Sequence, residues 1–98
     1  MTIKDGVSEQ TLLIKLAEEC SELASAAMKL ATIERGDFPV RTSRQDAVNH
    51  IMEEIADTSL AILGIADCDW YDETAISTYI TMKRRRTDDG SNTVVRTN

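Results

Sequence analysis

The sequence predicts an all-α fold, and three observations predict it. Apolar residues recur at helical spacing through two long stretches, Leu12 to Leu30 and Ala47 to Ile65. One proline and 4% aromatic residues favour helices over a β architecture. Capping residues precede each apolar stretch: Ser8, Ser43, and then Asp69 or Asp72. At 98 residues the chain is one domain, 1–98, with a helical core over about 8–86.

The elements follow in order. Met1 to Val7 is a short lead-in. Ser8 caps a first helix that runs to about Glu34, although Thr11 stands where a full capping box has Glu. Gly36 closes that helix and Pro39 follows. Ser43 caps a second helix running to about Ala66, with Gly64 weakening its last turn. A turn at Asp67-Cys68-Asp69 leads to a third helix ending near Arg86. The tail, 87–98, is expected to be flexible or to lie on a partner subunit.

Composition narrows the function classes. A formal net charge of −6 argues against a stable nucleic-acid partner, which needs a basic face. It leaves room for a nucleotide whose charge a metal offsets. Two cysteines outside any Cys-x-x-Cys make no disulfide framework. Cys20, among leucines, is expected to be a buried thiol. No signal peptide and no membrane-spanning run is legible, so the expected compartment is the cytoplasm.

The chemistry concentrates in two acidic clusters, Glu18-Glu19-Cys20-Ser21-Glu22 and Glu53-Glu54-Ile55-Ala56-Asp57. Both read Glu-Glu-x-x-acid, and residues three apart share a helix face. With Glu19 at zero on the helical wheel, Leu12, Leu16, Leu23 and Leu30 fall within roughly 60° on one side. Glu19 therefore sits at the margin of the apolar stripe and Glu22 on its border, while Glu18 faces solvent. The second helix repeats the pattern: Ala47, Ile51, Ile55, Ile62 and Ile65 lie within roughly 100° of Glu54. Asp57 is on the border and Glu53 faces solvent. Carboxylates at an apolar margin are costly unless paired or bound to a cation. Lys15 precedes Glu19 by four residues, but no Lys or Arg lies between Asp46 and Asp69. Glu19, Glu22, Glu54 and Asp57 are thus candidate ligands for Mg²⁺, or Mn²⁺, beside a phosphate ester. The bland alternative is a pair of solvated helix faces.

The third helix ends in Lys83-Arg84-Arg85-Arg86, the only dense basic run. Lys83 and Arg86, three apart, are candidate phosphate contacts; the alternative is a set of cations favoured by the helix dipole. Trp70 stacks on a base or plugs the helix start. His50, four residues before Glu54, is either an outer partner of the metal or a surface histidine.

On these residues the chain resembles the MazG-like, all-α nucleotide pyrophosphohydrolases, which carry Glu-x-x-Glu on one helix and Glu-x-x-Asp on the next. The matching residues are Glu19 and Glu22, then Glu54 and Asp57, within Leu16 to Leu23 and Glu53 to Asp57. The resemblance covers roughly Leu12 to Arg86. It implies cleavage of a nucleoside triphosphate, ribo or deoxyribo, to the monophosphate and pyrophosphate, with those four acids holding Mg²⁺. It also implies that Glu18 and Glu53 orient or deprotonate the attacking water, and that Lys83 or Arg86 steadies the leaving pyrophosphate. Members often space a Lys, an Asn and an Arg along the third helix; here the basic run is compact and lacks Asn.

Apolar residues remain on further faces: Leu13, Ala24, Met28 and Ala31 on the first helix, and Met52, Ala56 and Leu63 on the second. Pairing of three-helix subunits into a larger bundle would cover them. The family resemblance implies the same, a homodimer or tetramer. The competing function is a non-catalytic helical dimerisation or binding module that retains the scaffold. A di-iron bundle is excluded, because it needs Glu-x-x-His pairs and the one histidine, His50, has no Glu at that spacing.

Overall fold

The computed structural model describes residues 3–4, 7–36 and 42–88. It is all-α with three helices: α1 (Glu9–Arg35), α2 (Arg44–Ile65) and α3 (Glu73–Asp88). Ahead of α1, two-residue strands β1 (Ile3–Lys4) and β2 (Val7–Ser8) pair antiparallel, with Ile3 opposite Ser8 and Lys4 opposite Val7. This minimal ladder lies in the short lead-in expected from the sequence.

Each helix begins where its cap residue dictates. The Ser8 hydroxyl accepts the Thr11 N–H at 3.2 Å, and the Ser43 hydroxyl accepts the Asp46 N–H at 3.1 Å. Of the two aspartates available to α3, Asp72 is the cap: its carboxylate accepts the Ala75 N–H at 3.0 Å. At the end of α1, Gly36 adopts φ 72°, a left-handed conformation that glycine enters without Cβ strain. Its N–H reaches the Thr32 and Ile33 carbonyls.

The helices α1 and α2 form an antiparallel hairpin, and three contacts fix its register. Near the link, the Arg44 guanidinium grips the Glu34 carboxylate, with Nε 2.8 Å from Oε1. In the middle, the Thr58 hydroxyl donates to the Glu19 carbonyl. At the far end, Gly64 lies against Leu12, where an added Cβ would sit 3.5 Å from the leucine Cδ2. The seam between these helices is the core, and it is thin. Ala26, Ala47, Ile65 and Cys68 are its buried apolar members among the described residues, and Glu19, Glu54 and Thr58 are buried with them.

Helix α3 makes no extended packing face with α1 or α2. The molecule measures 47 × 38 × 16 Å with a radius of gyration of 17.2 Å, against about 13 Å for a compact chain of this length. Large apolar side chains stay in water: Met28 is 62% exposed, Leu63 61% and Tyr79 61%, and Leu60, Ile76 and Ile80 join them. Leu13, Met28, Met52 and Leu63 are exposed as their positions on the wheel predict.

Cys20 departs from the buried thiol expected of it. Cys20 is exposed on α1, and Cys68 is buried in the turn after α2. Burial pushes the Cys68 thiol above its ordinary value, and the negative charge of nearby Glu9 adds to the shift. The tail beyond Asp88, and most of the link between α1 and α2 including Arg41, lie outside the described residues.

Candidate metal centre

The hairpin register brings the two acidic motifs face to face. Ligand-capable oxygens of Glu19, Glu22 and Glu54 all lie within 4.8 Å of one another. Glu19 is 6% exposed and Glu54 8%, whereas Glu22 is exposed. Two carboxylates are thus sunk in the helix seam and a third stands at the rim, where solvent can reach the group.

Each buried carboxylate has one partner on its own helix. Lys15 Nζ lies 2.7 Å from Glu19 Oε2, and His50 Nε2 lies 3.2 Å from Glu54 Oε2. Both contacts join residues four apart, neighbours on a helix surface. The Glu19 carboxylate, first by its hydrogen bond and then by its charge, holds the Lys15 amine above the ordinary lysine value, and Glu18 and Glu22 add to this.

The other oxygens are unsatisfied. Glu19 Oε1 and Glu54 Oε1 are buried and accept no hydrogen bond from any described group. An unpartnered buried polar atom costs about 1–3 kcal/mol, and more when charged. With a Glu22 oxygen gathered near them, the Glu19 and Glu54 carboxylates form an all-oxygen donor set of the kind that hard divalent cations take.

Beside this group lies a cleft of about 390 Å³ lined by Leu12, Lys15, Glu19, Asp57, Leu60, Ala61 and Gly64. Its charged residues, Lys15, Glu19 and Asp57, share it with an apolar wall. Asp57 is exposed and stands outside the three-acid group; it shares only the cleft with Glu19.

The remaining sequence-predicted residues are spread more widely. Glu18 and Glu53 are exposed, on the solvent side of their helices as the wheel places them. Lys83 and Arg86 are exposed on α3, which does not pack onto the acids, and neither lines the cleft. Trp70 is half-exposed before α3, its ring centroid 6.3 Å from that of Tyr71, and it also lies outside the cleft lining. One chain therefore assembles Glu19, Glu22 and Glu54, sets Asp57 nearby, and leaves Lys83, Arg86 and Trp70 apart.

Two contacts add to the sequence reading. His50 proves to be a direct partner of Glu54, which supplies α2 with the counter-group its sequence lacks in Lys or Arg. Thr58, which no sequence signal marks, ties α2 to α1 at the level of the acids. The four-residue spacing was the signal for His50; the Thr58 bond spans 39 positions and had none.

Comparison of the chain with protein-family models, with curated proteins and with solved structures returns no match.

Proposed function

We propose that this protein is a divalent-metal-dependent nucleotide pyrophosphohydrolase of MazG-like type, cleaving nucleoside triphosphates, ribo or deoxyribo, to the monophosphate and pyrophosphate. The observation that carries the proposal is the gathering of Glu19, Glu22 and Glu54 within 4.8 Å of one another, with a buried, unpartnered oxygen on each of Glu19 and Glu54. Solvated helix faces give no reason for burying two carboxylates in a thin core.

Glu19, Glu22 and Glu54 would hold Mg²⁺ or Mn²⁺, with Asp57 available from the cleft wall. The bound metal supplies charge neutralisation of the phosphates and a more acidic water. Water attacks the α-phosphorus, the bond from that phosphorus to the α–β bridging oxygen breaks, and pyrophosphate leaves with the electron pair. Glu18 or Glu53, exposed beside the buried acids, accepts the proton of the attacking water. Lys83 and Arg86 neutralise the leaving pyrophosphate and Trp70 stacks on the base.

The last three residues reach a cleft only across an assembly. Exposed Ile76, Tyr79, Ile80 and Met82 on α3, with Met28, Met52 and Leu63 on the hairpin, support a homodimer or tetramer in which α3 of one subunit covers the hairpin of the next. The same exposed surface favours the second reading, a dimerisation or binding module without catalysis.

The deciding experiment is pyrophosphate release from a panel of standard and modified NTPs and dNTPs, with Mg²⁺, with Mn²⁺ and with EDTA, for wild type and Glu54→Ala. The proposal expects metal-dependent release that the variant loses. Folded, metal-supplied wild-type protein that releases nothing from any nucleotide would leave the binding module.

A further inference from the structure

We infer that Lys15 is a built-in counter-cation of the metal centre, and that a divalent ion enters by displacing the Lys15 ammonium from Glu19. The inference deepens the function proposed above and rests on its metal assignment.

The geometry carries it. The ammonium sits 2.7 Å from Glu19 Oε2, while Glu19 Oε1 is buried without a hydrogen-bond partner and a Glu19 carboxylate oxygen lies within 4.8 Å of ligand-capable oxygens of Glu22 and Glu54. One carboxylate thus has one oxygen on a resident cation and the other without a partner, in a residue that belongs to the three-acid group. A divalent ion held by Glu19, Glu22 and Glu54 would lie within a few ångströms of that ammonium. Like charges at about 4 Å repel by about 1 kcal/mol per unit-charge pair even in bulk water, and by more beside a buried carboxylate. The two cations compete for the same anion.

The exit path is also present. The Lys15 side chain is 59% exposed, so its ammonium returns to water at little cost. It also lines the cleft beside the acids, opposite the α2 carboxylate Asp57. An ammonium released from Glu19 therefore stays at the cleft edge, where a phosphate would meet it. His50 differs: its ring Nε2 lies 3.2 Å from Glu54 Oε2, a contact compatible with metal on the other oxygen.

The test is Mn²⁺ binding by titration calorimetry, with thermal unfolding of the same samples with and without Mn²⁺, for wild type, Lys15→Met and Lys29→Met. Lys29 is exposed on the same helix, so its variant controls for loss of one positive charge. Lys15→Met is expected to bind Mn²⁺ about three- to tenfold more tightly than Lys29→Met. Its metal-free form should melt below wild type, because Glu19 loses its counter-cation, and saturating Mn²⁺ should remove that deficit. Equal or weaker Mn²⁺ binding by Lys15→Met overturns the exchange and leaves the metal centre standing. No saturable Mn²⁺ binding by any of the three proteins overturns the metal centre and the exchange together.

Discussion

The Thr58 hydroxyl on α2 donates to the Glu19 main-chain carbonyl on α1 across 3.3 Å, and the bond is buried. Thr58 lies one turn beyond Glu54, so the tether joins the helices where their acids meet. It holds the backbone of one carboxylate against the helix that carries the other. Thr58→Val keeps the shape and removes the donor, and should cost about 0.5–1.5 kcal/mol of stability. Urea unfolding with an unchanged m-value measures it, and Thr58→Ser should recover most of the loss.

The buried acids carry opposite consequences in the absence and presence of metal. Glu54→Gln removes a buried negative charge beside Glu19 and Glu22 and should leave the metal-free protein as stable as wild type or more so. Wild type is expected to gain melting temperature with Mg²⁺ or Mn²⁺, since an ion that binds only the native state stabilises it in proportion to the logarithm of its concentration, and the same change should abolish that rise. A Glu54→Gln protein that still responds fully to Mn²⁺ would contradict the ligand assignment.

The cleft can be closed without touching an acid. Ala61 is half-buried in its wall, and Ala61→Phe would place a ring in the space between Leu12 and Leu60. Nucleotide turnover should fall by at least tenfold, equivalent to about 1.4 kcal/mol in the barrier, while Mn²⁺ affinity stays at the wild-type level. Loss of both would point to a broken hairpin instead of a filled cleft.

The two thiols should separate by reactivity and by pH. Cys20 is exposed and should react promptly with a thiol reagent at neutral pH, while Cys68 should react only on unfolding. Burial, and then Glu9, raise the Cys68 thiol above its ordinary 9.0, so the folded state keeps this proton longer than the unfolded state. Its contribution to stability is complete below 9.0 and is lost as pH rises through the folded value. Cys68→Ala should therefore flatten the decline in melting temperature on the alkaline side, whereas Cys20→Ala should leave it unchanged.

Gly36 is the one described glycine in the left-handed region. Gly36→Ala meets open space but strained backbone, and should cost about 1 kcal/mol; Gly36→Asn should cost less. Thermal unfolding of the pair distinguishes backbone strain from lost packing.

The sequence by itself determined the helices and the local pairing on them. Ser8, Ser43 and Gly36 act through groups a few residues away, so their roles are fixed by local geometry and those boundaries can be read directly; at the third helix the sequence offered Asp69 or Asp72, and the structure selects Asp72. The 3.6-residue period likewise placed Glu19 and Glu54 at the apolar margin and Glu18 and Glu53 in solvent, and the four-residue spacing set Lys15 beside Glu19, while for His50 it left an outer partner of the metal and a surface histidine both open. Only the tertiary structure decided which margins face each other. The antiparallel register set by Glu34 with Arg44, Glu19 with Thr58 and Leu12 with Gly64 gathers Glu22 with the two buried acids and turns Asp57 into the adjoining cleft. It also exposes Cys20 and buries Cys68, because the side of a helix that is covered depends on where its neighbour lies, and a single helix period carries no record of that.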